Sequence, residues 1–169
     1  MSSAVFGLVG VLLGSLSTSV LTIYREKLTT RREQVARDEQ YERDRKAVRD
    51  AFQRDSILAL QAATSDLIRA AYQELDRVLA ELKRTGEWTA RTWETPTATG
   101  WSDAVLRLEL AQARVFDDEL RSLSARLRDL AGQSIWAESR AASEQHSRKM
   151  EPVYRRFNEA ITQILPSLY

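Results

Sequence analysis

Read as a pattern of apolar and polar positions, the chain passes through three regimes. From Ser3 to Tyr24 no side chain is ionisable other than the tyrosine. A helix of that length, rising about 1.5 Å per residue, spans roughly 30 Å, the thickness of a hydrocarbon core. From Arg25 to about residue 54 the pattern inverts, and apolar positions thin to Leu28, Val35, Tyr41, Val48 and Phe52. Acidic residues stand four before basic ones at Glu33/Arg37, Glu39/Arg43, Glu42/Lys46 and Asp50/Arg54, the favourable direction on a helix surface. So polar a helix buries little, and it reads as a solvated stalk, with an arm of a loose coiled coil as the alternative.

After residue 56 a helical stripe emerges. Leu60, Leu67, Ala71, Val78 and Leu82 form one row, with Ile57, Ile68, Tyr72, Leu75 and Leu79 beside it. The stripe ends at "KRTG", where Gly86 follows two basic residues and fits a C-terminal cap. A linker over 85–101 contains Pro96 and Gly100 as breakers. Ser102 then offers an N-cap, with Asp103 in the first turn. The next helix carries Leu106, Leu110 and Ala113. After a one-residue phase shift it continues with Phe116, Leu120, Leu123, Leu127 and Leu130. Gly132 and Ser134 read as a stop and a new start, or as a kink. The last helix carries Ile135, Ala142, His146, Val153, Phe157, Ala160 and Ile164, and Pro152 should kink or split it near Met150.

The predicted fold class is therefore all-α. A transmembrane helix (1–24) continues into a charged juxtamembrane stalk (25–55) and an antiparallel three-helix bundle (56–169), with helices near 56–84, 102–131 and 134–165. Composition supports this: neither Gly nor Pro occurs between Gly14 and Gly86, and no window alternates long enough for a sheet.

Charge narrows the roles. The chain has 25 basic and 24 acidic residues, so it lacks the cationic excess that nucleic-acid binding needs. Without cysteine it has no disulfide framework and no thiolate chemistry. Arg25, Lys27, Arg31, Arg32 and Arg37 follow the apolar run, and the positive-inside rule places the body in the cytoplasm of a cell membrane. Arg25, Lys27, Arg31 and Arg32 are the candidate lipid-headgroup contacts, at about 1 kcal/mol each near the surface. Gly7, Gly10, Gly14 and Ser17 share one stripe of the span, a candidate packing seam for a second copy.

Chemistry is sparse. His146 is the single histidine, and Ser143 stands where a di-iron bundle needs glutamate. The usual glycine-rich phosphate cradles are absent. Asp117, Asp118 and Glu119 face three directions and read as solvated surface. The sequence thus predicts no catalytic, cofactor or metal residues, no small-molecule substrate and no nucleic acid. Trp88, Trp93 and Trp101 cluster in and beside the linker, interleaved with Arg91. Tryptophan and arginine concentrate at binding hot spots, so Trp88, Arg91, Trp93 and Trp101 form the candidate partner-binding loop. The alternative is that the rings close the open end of the bundle. The apolar tail "ILPSLY" can dock on a neighbour or pack on its own domain.

The segments "GLVGVLLGSLSTSVLTIYREKLTTRREQ" and "AQARVFDDELRSL" together resemble uncharacterised single-pass membrane-anchored small helical proteins of actinobacteria and their phages. The predominance of Arg over Lys agrees with a GC-rich source. The resemblance implies the layout and carries no activity or site residues. Stalk subunits of rotary ATP synthases share the span and charged helix but continue without the break seen at Gly86 to Gly100. Inner-membrane phage spanins share the plan with the body outside the cytoplasm. The leading expectation is a non-enzymatic anchored interaction or scaffold protein whose cytoplasmic bundle recruits or senses a protein partner. The alternatives are a spanin-like mechanical or lytic element, and a small regulatory subunit of a larger membrane complex.

Overall fold

The computed structural model describes residues 2–88 and 98–169, with side chains over 33–88 and 100–169. Its elements are α1 (Ser2–Thr85), α2 (Ala98–Gln112), α3 (Asp118–Ile135), α4 (Arg140–Ile164) and a closing 3-10 turn (Leu165–Leu168). The chain divides into two compact units, residues 1–48 and 49–169. The expected span over 1–24, its seam residues Gly7, Gly10, Gly14 and Ser17, and the headgroup residues Arg25, Lys27, Arg31 and Arg32 lie outside the described side chains. Among the described residues no helix is long and apolar enough to cross a membrane.

In the first unit every described side chain, from Glu33 to Val48, is exposed. Two of the expected pairs form, Arg37–Glu33 at 3.9 Å and Arg43–Glu39 at 3.4 Å. Glu42 turns instead to Arg45, three residues on, at 3.7 Å. Exposed pairs of this kind each contribute about 0.3–0.5 kcal/mol, so local pairing supports this stretch and burial does not.

The second unit is a bundle of four helices rather than three. The segment expected as one helix over 102–131 is a helical hairpin, broken over 113–117 where the apolar stripe changes phase. No glycine or proline marks the break. Asp117 does: its carboxylate accepts from the Leu120 N–H at 2.8 Å, and Asp118 and Glu119 fill the first turn of α3. Anionic residues there meet unsatisfied N–H groups and the positive end of the helix dipole. The acidic run read as plain surface is thus a helix start.

Contacts along the bundle fix its topology. The turn between α2 and α3 meets α1 at Gln53, and the connection between α3 and α4 meets Trp88 beyond the end of α1. Gln61 pairs with Asn158 at 3.0 Å and Ser65 with Tyr154 at 3.1 Å, so α4 runs antiparallel to α1. Glu109 meets Arg128, and Glu119 meets Arg156 at 2.8 Å, which extends the alternation through α2, α3 and α4. The helices run up, down, up, down.

One apolar core joins all four, with Leu60, Leu67, Leu108, Leu120, Leu127 and Phe157 fully buried. Each such burial is worth about 1.5–3 kcal/mol against exposure. The α1 stripe is as expected at Leu60, Leu67, Ala71 and Val78, whereas Tyr72 faces out. The α2 stripe is not. Its core positions are Trp101, Ala104, Leu108 and Ala111, spaced three, four and three and continued by Val115 in the turn that follows, while Leu106 and Leu110 are 57% and 61% exposed. Two equally periodic stripes lie on this helix, and the alanine-bearing one allows the closer approach. Phe116 likewise leaves the core and leans on Phe52, ring centroids 6.3 Å apart.

Helix ends follow local chemistry. Gly86 has a positive φ of 75° and donates to the Leu82 carbonyl at 2.8 Å, the expected cap. Helix α2 begins at Ala98, so Ser102 and Gly100 lie inside it rather than capping or breaking it. Helix α3 runs through Gly132 to Ile135, and Ser139 caps α4 by accepting from the Ala142 N–H at 3.2 Å. Helix α4 is continuous across Pro152. The proline is exposed, so the carbonyl it leaves unbonded lies on the wet side, while buried Met150 and Phe157 hold the two halves against one core. Ile164, Leu165 and Leu168 of the tail pack onto that core.

Two experiments test these supports. Gln53 donates to the Arg114 carbonyl at 3.1 Å and accepts from the Phe116 N–H at 3.0 Å. Gln53→Met keeps the volume and removes both bonds. It is expected to lower unfolding free energy by about 1–3 kcal/mol in denaturant titrations; an unchanged midpoint refutes the clamp. In α4 the Arg140 Nε donates to Glu144 at 2.7 Å. That bond first, then the Arg140 charge and, least, the Arg148 charge hold the Glu144 carboxyl below its ordinary range against an opposing desolvation. A depressed carboxyl stabilises fully above its unfolded value and loses that effect as pH falls through the folded one. Arg140→Gln is expected to move the Glu144 midpoint upward in a carbon-detected NMR titration.

Candidate functional site

The predicted partner loop divides. Arg91 and Trp93 lie outside the described residues. Trp88 donates its indole N–H to the Ala137 carbonyl at 2.8 Å, tying the end of α1 to the α3–α4 connection. Trp101 is 6% exposed and belongs to the core, because α2 starts early enough to carry it on its inner face. Trp88 thus bonds across the end of the bundle and Trp101 packs in its core, the arrangement that the alternative reading of these rings describes.

Beside these rings lies a groove of about 960 Å³ formed by α2, α3 and the start of α4. Its floor is the Trp101–Trp136 pair, centroids 5.7 Å apart and planes at 84°, the edge-to-face arrangement aromatic quadrupoles favour. Gly132 makes the pair possible. A Cβ there would stand 3.0 Å from the Trp136 ring and 3.8 Å from Trp101. The glycine read as a helix breaker is instead a seat for an indole one turn further on. Trp136 was missed at the sequence level, although Gly132 and Trp136 stand at i and i+4 and so share a helix face.

Half-buried Val105 and exposed Leu106 extend the apolar wall. Glu109, Asp129 and Glu138 stand among the lining residues, with Arg128 between the first two at 3.1 and 3.0 Å. His146 lines the far side, its Nδ1 buried and without a hydrogen-bond partner among the described residues. Rather than lying on an open polar surface, it is half-buried. No group of three metal-ligating side chains occurs among the described residues. The groove thus offers π-faces, apolar walls and carboxylates, the mixture of apolar lining and few polar groups that suits ligand binding.

No protein-family model, curated protein or solved structure matches the chain.

Gly132→Ala tests the floor. The added methyl improves helix propensity by about 1 kcal/mol but must displace the Trp136 ring. The expected result is a reduced near-UV tryptophan signal with far-UV helicity retained; an unchanged near-UV spectrum refutes the close seat.

Proposed function

We propose that the protein is a non-enzymatic, membrane-anchored helical adaptor whose bundle recruits or senses a partner on the cytoplasmic side. The observation that carries the anchor is the uncharged run from Ser3 to Tyr24, followed at once by Arg25 and Lys27. Such a run is long enough to span, and the basic flank favours retention of the following chain on the inner side. The recruiting face is the tryptophan-floored end of the bundle, where Leu106 and the groove expose apolar surface beside carboxylates. The small-residue stripe Gly7, Gly10, Gly14 and Ser17 supplies a seam for pairing within the bilayer.

Alkaline washing of membranes from expressing cells tests the anchor. The full-length chain, with its leading run through Tyr24 intact, is expected in the pellet; release into the wash overturns the reading. A C-terminal topology reporter should give a cytoplasmic signal, and an external one would favour a spanin-like bridge. Gly10→Leu with Gly14→Leu is expected to reduce dimer crosslinking at least several-fold. Unchanged crosslinking removes the seam and leaves the anchor standing.

A further inference from the structure

We propose that the groove between α2, α3 and α4 is a binding site for a small apolar organic cation. This proposal stands on the second unit alone and does not depend on the membrane anchor. Three observations converge. At about 960 Å³ the groove lies within the size of small-ligand pockets, roughly 300–1,000 Å³. Its floor carries the half-buried indole of Trp136, backed by the buried Trp101, and indole is the aromatic surface with the strongest attraction for a cation. Its rim is acidic: Glu109, Asp129 and Glu138 stand among its lining residues with one guanidinium, that of Arg128, which the first two engage.

The sign of the charge follows from that balance. Glu138 is exposed and has no ion-pair partner among the described residues. Glu109 and Asp129 share a single cation, which leaves carboxylate charge in excess. Low-dielectric walls concentrate such a field within a cleft. An apolar anion of the same shape would meet repulsion from the rim and from the negative face of an indole. A neutral apolar ligand would gain burial but nothing from the rim. The cation uses all three features at once.

Two ions of nearly identical shape and opposite charge decide the matter. The full-length chain in zwitterionic detergent is titrated calorimetrically with tetraphenylphosphonium and, separately, with tetraphenylborate, each against matched empty micelles. Saturable binding of the phosphonium, at least ten-fold tighter than the borate, is expected. Glu109→Gln with Asp129→Asn neutralises two exposed carboxylates and frees Arg128, so phosphonium affinity should fall ten-fold or more while borate affinity rises. Far-UV spectra confirm that the variant keeps its helices. If it does not, Glu138→Gln replaces it, with an expected loss of about three-fold, the scale of one exposed charge. Trp136→Ala should weaken the phosphonium further. Equal affinity for the two ions, no saturable binding above micelles, or phosphonium affinity unchanged by loss of the carboxylates overturns the proposal.

Discussion

The bundle depends on how one carboxamide closes a turn. Between α2 and α3 the chain reverses over 113–117 with neither glycine nor proline to ease it. Its backbone groups at Arg114 and Phe116 lie within hydrogen-bond reach of Gln53 on α1, a side chain that is itself buried. Gln53 presents a donor and an acceptor at once and takes both groups, much as a neighbouring peptide unit would. With that turn secured, buried Val115 closes the base of the core, and α2 and α3 descend and return in register with α1. The Gln53 bonds and the Asp117 cap on α3 act together at this break.

What the sequence made legible, and what it did not, follows from how local each signal is. The α1 stripe and the Gly86 cap were readable because each is a property of adjacent turns. The face of α2 was not, since leucines outweigh alanines in any hydrophobicity count. Close packing against α1 and α3 nevertheless selected the small-residue side. The break over 113–117 left two marks, a phase shift and an acidic triplet, and they become decisive only when taken together. Pro152 shows the reverse case. A strong local breaker is overridden because its cost falls on a solvent-facing carbonyl while both halves of α4 share one core.

The candidate site was visible only as a surplus of tryptophan. Trp101 lies inward because α2 starts at Ala98, ahead of its expected cap at Ser102, so that residue 101 is already helical and shares the face of Ala104 and Leu108. Trp136 and Gly132 acquire meaning only as a pair, the absent side chain of one making room for the ring of the other. The acidic rim comes from three separate elements of sequence, residues 109, 129 and 138, and proximity in the fold is what turns them into one field.

The buried hydroxyls have a consequence for how firmly the helices are indexed. Ser56, Thr64 and Ser124 each return their proton to a carbonyl one turn back on their own helix. Ser56 and Thr64 are spent locally in this way, whereas Ser124 also accepts from the Gln112 side chain of α2 at 2.8 Å. Polar pins run the length of the bundle, with Gln53 at one end, the Gln61–Asn158 and Ser65–Tyr154 bonds between, and the Ser143–Ser134 and Trp88–Ala137 bonds at the other. A structure fastened in that manner behaves like a coat buttoned along its whole length. Sliding one helix past its neighbours breaks several of these bonds together, so register is held cooperatively.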